Sequence, residues 1–268
     1  MLASQRRSRI ADLVEQTGAV RVSDLVAELG VSDMTIRRDI DQLADQGLLE
    51  RVHGGAVAVS TPTSEEPGFR AKSTLMTAQK RAIGEAAARL VEPGSSIGIS
   101  AGTTTYELAR AVRAVPDITV VTNSVPVAQL LHESGTPGQT VVLTGGIRTP
   151  SDALVGPVAV AALRSLHVDL LFLGAHGVDA GAGLTTPNLV EAETNRALVA
   201  CARRTCVLVD HSKFGVIGLS TFLDLDQVDV LVTDDELSQR ARATIADVVD
   251  TLVVARDHGR TDRREGTA

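Results

Sequence analysis

The sequence predicts a small α+β domain followed by a larger α/β domain with a mainly parallel, Rossmann-like sheet. Three observations predict this. Apolar residues recur at helical spacing in three short segments before residue 46, then give way to two short alternating runs around Gly54-Gly55. From Ser95 onward, short aliphatic runs alternate with helical patterns, and continuous apolar strands of this kind belong in a parallel sheet covered on both faces. Between the halves, residues 60–68 are polar, contain prolines and lack periodicity, which is linker chemistry. The expected division is a first domain over 1–58, a linker over 59–75, a second domain over 76–256 and a charged, disordered tail over 257–268.

Composition narrows the function classes. A chain of 268 residues with 44% hydrophobic residues supports two cores, and with only 2% aromatics those cores must be aliphatic. So few rings argue against a reader of single strands or RNA, which stacks bases on aromatic platforms. The net charge of −7 leaves DNA binding open, provided one face is basic. Lysine occurs only at 72, 80 and 213 in an otherwise arginine-based chain, and the two cations are not interchangeable at a tight site. Cys201 and Cys206 sit among apolar residues and read as small buried hydrophobes without zinc-site spacing. With neither a signal-peptide core nor a bilayer-length apolar run, no membrane partner and a cytoplasmic location are expected.

In the first domain, Ile10, Leu13 and Val14 define a helix over 4–16 that Gly18 ends. Ser23 is expected to cap a second helix, 25–29, closed by Gly30. Ser32 caps a third, with Asp33 in its first turn complementing the helix dipole, and Gly47 stops it. Ile36, Ile40 and Leu43 form its buried stripe, leaving Met34, Thr35, Arg37 and Arg38 outside. Strands over 48–52 and 56–59 follow, with Gly54-Gly55 as their turn. This is the order of a winged helix-turn-helix. Its third helix is expected in the major groove of double-stranded DNA, where arginine grips guanine bidentately. The predicted DNA-binding residues are Ser32, Met34, Thr35, Arg37 and Arg38, with Arg51, His53 and Gly54 from the wing; Arg6, Arg7 and Arg9 are candidates for phosphate contacts. The alternative is a helical interaction module with merely solvated arginines, since acidic residues outnumber basic ones here.

In the second domain a helix starts at Thr77, carries Ile83, Ala87 and Leu90 on one face, and ends at Pro93-Gly94. Strands are expected over 96–99, 118–121, 140–143, 168–173, 205–209, 228–232 and 251–254. Helices are expected over 106–112, 125–131, 158–163, 189–202 and 237–248. Polar and glycine residues cluster just past five strands, at 100–105, 122–124, 144–146, 174–177 and 210–213. In open α/β sheets ligands bind at the carboxyl ends of strands, so these loops are expected to converge on a pocket. Gly102, Thr103 and Thr104 lie between strand and helix, where backbone N–H groups and the helix dipole favour an anion; Lys213 supplies the counter-charge. Asn123 and Ser124 are candidates for sugar hydroxyls, and Gly145, Gly146, His176 and Gly177 complete the predicted effector site. A metal reading of His176, His211, Asp179 and Asp210 lacks ligand spacing, so no metal, cofactor or catalytic residue is assigned.

Both halves resemble the DeoR family of bacterial transcriptional regulators. In the first half the resemblance rests on Arg9 and Ile10, Val22 to Leu25, Val31-Ser32, Thr35-Ile36-Arg37-Arg38-Asp39, Leu43, Gly47 and His53-Gly54-Gly55-Ala56. Phe69, Arg70 and Lys80 match positions after the linker. In the second half it rests on Ala101-Gly102-Thr103-Thr104, Thr122-Asn123-Ser124, Leu143-Thr144-Gly145-Gly146, Gly183-Leu184-Thr185-Thr186 and Asp210-His211-Ser212-Lys213-Phe214. The resemblance implies a sensor domain similar to sugar-phosphate isomerases and a phosphorylated sugar or polyol as effector. It implies a repressor of a sugar or polyol catabolic operon, released from operator DNA by that effector. A homo-oligomer, dimer or tetramer, reading repeated half-sites is expected. Activation instead of repression, and an isomerase-like enzyme, are the alternatives. The related isomerases carry an acidic residue where this chain has the 174–177 loop, which sets catalysis aside. The chain departs from the family at Ser100, where aspartate is common, at His176, where an acid is common, and at Asn195, where lysine is usual.

Overall fold

The computed structural model describes residues 3–17, 19–45, 48–52, 54–57, 64 and 68–256. The chain divides into two compact units, Met1–Pro62 and Thr63–Ala268. Gly18, Gly47, His53, most of the 60–68 linker and the 257–268 tail lie outside the described residues.

The first unit runs α1 (Ala3–Thr17), β1 (Ala19–Arg21), α2 (Val22–Leu29), α3 (Asp33–Asp45), β2 (Glu50–Val52) and β3 (Gly55–Val57). The three strands form an antiparallel sheet in the order β1-β3-β2. Strand β1 was not anticipated: its three residues are too short for a periodic signal, and it exists because it pairs with β3 far along the chain. Helix α2 therefore starts at Val22, directly from β1, and its first residue has no side-chain cap. The Ser23 hydroxyl donates to Asp24 instead. The core joins Ile10 and Val14 of α1, Val22 and Leu25 of α2, the Ile36-Ile40-Leu43 stripe of α3, Leu49 and Ala56. Gly55 is required by closeness: a Cβ there would lie 2.1 Å from the Val20 carbonyl oxygen across the sheet.

The second unit opens with α4 (Phe69–Ser73) and α5 (Thr77–Ala88). It continues β4 (Ser96–Ile99), α6 (Thr103–Val112), β5 (Thr119–Thr122), α7 (Val125–Ser134) and β6 (Thr140–Leu143). A hairpin follows, β7 (Ile147–Arg148) and β8 (Leu154–Val155), then α8 (Pro157–Leu163) and β9 (Leu170–Leu173). Next come β10 (Gly177–Asp179), β11 (Gly183–Thr186), α9 (Leu189–Ala200), β12 (Thr205–Leu208) and β13 (Ser220–Leu223). The unit ends with β14 (Val230–Asp234), α10 (Gln239–Ala246) and β15 (Thr251–Ala255).

Seven strands form one sheet in the order β6-β5-β4-β9-β12-β14-β15, and every neighbouring pair is parallel. The chain winds outward from β4 to β6, returns to β9 on the other side of β4, and winds outward again, which is the doubly wound arrangement. Side chains alternate between two cores. Leu170 and Phe172 face the core built with α5, α6 and α7, whereas Leu171 and Leu173 face the one built with α8, α9 and α10. The seven expected strands are all present, β5 and β14 shifted by one or two residues. Helix α4, the β7–β8 hairpin and a second sheet, β10-β11-β13, were not anticipated.

Helices α5 and α6 approach closely at Gly84, where a Cβ would lie 2.7 Å from the backbone carbon of Glu107. Alanine ordinarily stabilises a helix interior over glycine by about 1 kcal/mol. Gly84→Ala is nevertheless expected to destabilise the second unit, because backbone must move to admit the methyl, at about 1–3 kcal/mol. Urea unfolding measures it; a raised midpoint would contradict the close packing.

Candidate functional site

On α3 the stripe Ile36, Ile40 and Leu43 is buried, which turns Met34, Arg37 and Arg38 outward. Met34 is 75% exposed, an unusual position for that side chain. Ser32 precedes the helix and accepts from the Thr35 amide at 3.3 Å, while its hydroxyl lies 2.9 Å from that of Thr35. Arg37 folds back on its own helix: its Nε donates to Asp33 Oδ1 at 2.5 Å, and this hydrogen bond holds the Asp33 carboxyl below the usual carboxylate range. Arg38 makes no ion pair among the described residues.

Asp39, one residue further, is a buried carboxylate to which the sequence assigns no role beyond its place in the motif. It accepts from Arg6 Nε at 2.5 Å and lies 3.8 Å from Arg7, fastening α1 to α3. Its place three residues after Ile36, inside the buried stripe, was the signal for this role. Arg6 is thus occupied by Asp39 rather than presented to a phosphate, and Arg9 pairs with Glu28 at 2.9 Å. On the wing, the exposed Arg51 reaches Asp41 at 2.6 Å, and Gly54 makes the turn with φ 82°.

In the second unit a cleft of about 700 Å³, its open mouth included, lies at the carboxyl ends of β4, β9 and β12. It sits where the strand order reverses between β4 and β9, the position where loops diverge to opposite faces of the sheet. Ala101 to Thr104, Gly174 to His176, and Val209 with Lys213 line it, opposite Pro187, Glu191 and Asn195. Gly102 adopts φ 155° and ψ 159°, a region essentially restricted to glycine, and leads into α6 without a side-chain cap. The first N–H groups of α6 therefore lack a capping side chain and suit an anion. The motif around Lys213 is divided in its work. Asp210 accepts from the Ser212 amide at 3.1 Å, and His211 Nδ1 meets Asp234 Oδ1 at 2.8 Å. That hydrogen bond raises His211 above the ordinary imidazole range. Lys213 lines the cleft.

All three lysines of the chain come to this cleft: Lys72 from α4, Lys80 from α5 and Lys213. Lys80 is buried, and its Nζ donates to the backbone oxygens of Lys72 at 2.7 Å and Leu75 at 2.8 Å. Burial pulls it down from 10.5 to about 8, with the Asp210 carboxylate opposing and Lys213 and Lys72 reinforcing the shift. Lys72 Nζ donates to Ser151 Oγ at 2.9 Å. Sequence reasoning placed only Lys213 here; the scarcity of lysine was the signal for the other two.

Of the five loops expected to converge, those after β4, β9 and β12 line the cleft. The loops after β5 and β6 do not, because those strands lie outward of β4. Asn123 is fully buried, accepting from the Ala101 amide at 2.9 Å and donating to the Leu154 carbonyl at 3.2 Å. Ser124 caps α7 through the Val127 amide. These two hold the frame that the cleft is cut into. Gly146 packs against the Val155 backbone, Gly145 lies beside Val158, and Gly177 packs against Val216; none lines the cleft. Of the three departures, His176 and Asn195 line the cleft, while the Ser100 hydroxyl accepts from the Gly174 amide at 3.0 Å, stitching the β4 and β9 loops together.

Residues 6–62 match the DeoR-like helix-turn-helix domain, and residues 76–235 match the DeoR C terminal sensor domain. The putative aga operon transcriptional repressor of Escherichia coli O157:H7 is 39% identical over 234 residues, covering 87% of this chain and 86% of that protein. The lactose phosphotransferase system repressor of Staphylococcus aureus (strain NCTC 8325 / PS 47) is 35% identical over 249 residues, 92% of this chain and 98% of that protein. Ribose 5 phosphate isomerase A from Neisseria gonorrhoeae overlaps 53% of this chain and 54% of its own, with a TM-score of 0.38 and 18% sequence identity.

Three lysines line this cleft beside the uncapped start of α6, and its positive charge depends on the protonation of Lys80. An anion favours the protonated amine, so near and above about pH 8 binding must draw a proton onto Lys80. Sulfate, whose charge is constant across this range, is expected to bind several-fold more weakly as pH rises from about 7 to about 9, with proton uptake on binding. Calorimetry in buffers of different ionisation enthalpy measures both; a flat profile without proton uptake would contradict this.

Proposed function

The chain belongs to the DeoR family of transcriptional regulators, and we propose that it represses a sugar or polyol catabolic operon and releases its operator when a phosphorylated metabolite occupies the lysine-lined cleft. The observation that carries this reading is the gathering of Lys72, Lys80 and Lys213 at one cleft beside the uncapped start of α6. A phosphoryl group there meets donors and positive charge, while Glu191, Asn195 and His176 offer polar partners to hydroxyls. The effector binds the DNA-competent and DNA-incompetent states unequally, and DNA reciprocally weakens effector binding.

The α3 face supports the other half of the reading. Met34, Arg37 and Arg38 project from a helix whose opposite side is locked into the core, the geometry needed to read base edges in a major groove. Ser32 and Thr35 stand at the start of the same face, and Arg51 and Gly54 belong to the wing. One winged domain buries too little surface for tight sequence discrimination, so the working form is a homo-oligomer on repeated half-sites. Among the described residues no helix is long and apolar enough to cross a membrane, and a regulator of DNA belongs in the cytoplasm. The matched family and the relatives are named as regulators, not as enzymes. Asp179, the acid nearest the isomerase-like loop, accepts from the Gly181 and Ala182 amides within a turn.

Arg37→Ala and Arg38→Ala are each expected to weaken operator binding roughly 10- to 100-fold without changing effector affinity. Fluorescence anisotropy with operator DNA measures this, and unaltered affinity in both variants would remove α3 from the interface. A sugar phosphate is expected to release DNA where the unphosphorylated sugar does not, and Lys213→Ala should blunt release while leaving DNA binding intact. Release by the neutral sugar alone would overturn the anion reading.

A further inference from the structure

Lys72 differs from the other residues of the cleft in where it comes from. It sits on α4, the first helix after the segment that joins the two units. Helix α4 is held on three sides. The Phe69 amide donates to the Pro150 carbonyl at 3.0 Å, and Lys72 Nζ donates to Ser151 Oγ at 2.9 Å, so the β7–β8 hairpin loop grips it twice. Lys80 grips its end through the Lys72 and Leu75 carbonyls. The Phe69 ring stands edge-on to Tyr106 of α6, with centroids 5.8 Å apart. Helix α6 is the element whose uncapped start lines the cleft.

We propose that Lys72 is the effector contact that transmits occupancy: an anion in the cleft draws the Lys72 ammonium off Ser151, and α4, carrying the joining segment, shifts against α6. An ammonium–phosphoryl hydrogen bond is roughly twice as strong as the bond to the neutral Ser151 hydroxyl that it replaces. Lys80 and Lys213 supply charge from inside the unit and are not on the joining segment. Lys72 alone among the lysines belongs both to the cleft and to the element leading toward the DNA-binding unit. The proposal rests on the reading of the cleft as an effector site, and it adds which contact carries the signal.

The chain has one tyrosine and no tryptophan, so its intrinsic emission reports the Phe69–Tyr106 contact directly. The full chain is titrated with a panel of triose, pentose and hexose phosphates, affinity read by calorimetry and Tyr106 emission in parallel. In the wild type, emission is expected to change with the same midpoint as binding. In Lys72→Ala, affinity should fall roughly tenfold and the emission change should vanish even at saturation. In Ser151→Ala, which removes a competing acceptor, affinity should rise. Undiminished affinity in Lys72→Ala, a silent Tyr106 in the saturated wild type, or affinity in Ser151→Ala that does not rise each overturns the exchange while leaving the effector site standing. Failure of every sugar phosphate to bind the wild type overturns the effector reading and this proposal with it.

Discussion

A parallel sheet has to cover both faces, because each strand is apolar on both sides and connects to the next through a helix that packs on one face or the other. A chain that starts in the middle of such a sheet reverses its winding once, and the loops on either side of the reversal diverge. Here the reversal falls between β4 and β9. Everything distinctive about the second unit follows from that. The cleft opens there, α6 starts there, and the Ser100–Gly174 hydrogen bond is what fastens the two diverging loops to each other. The buried Asn123 performs the same service one strand over. Polar residues at strand ends are therefore of two kinds, those that line the opening and those that brace its rim.

That division explains how much was legible beforehand. The seven strands announce themselves because short, mainly apolar segments bounded by polar and glycine residues have few other places to go in a globular chain. That their carboxyl ends carry the polar loops was equally visible. Strand order was not, since it is fixed by which faces pack together and not by any local pattern. Asn123, Ser124, Gly145 and Gly146 were accordingly grouped with a cleft from which β5 and β6 are displaced. Short elements escaped for a related reason: β1, β7 and β8 have three residues or fewer, too few for a periodic signal, and β1 exists only through its pairing with β3. The scarcity of lysine was readable, but only three-dimensional proximity made it informative.

The first unit shows the same split between reading and bracing. Within Thr35-Ile36-Arg37-Arg38-Asp39 the two arginines face out and the aspartate faces in, and only the apolar stripe separates them. A motif that looks like a cluster of charges for one purpose is a pair of outward cations beside an inward clamp that fastens α1 to α3. Gly55 plays a comparable part in the wing, letting β1 and β3 meet where any side chain would collide with Val20.

One consequence of the Arg37–Asp33 pair concerns what the protein does away from its operator. Arg37 is already neutralised on its own helix, and Arg51 is neutralised by Asp41. A phosphate backbone met at random must compete with carboxylates held in place, so the counterions released on such an encounter are fewer than the arginine count suggests. A guanine edge that engages Arg37 bidentately must likewise displace both of its hydrogen bonds to Asp33. The carboxylates of Asp33 and Asp41 thus thin out loose, charge-driven association along the genome.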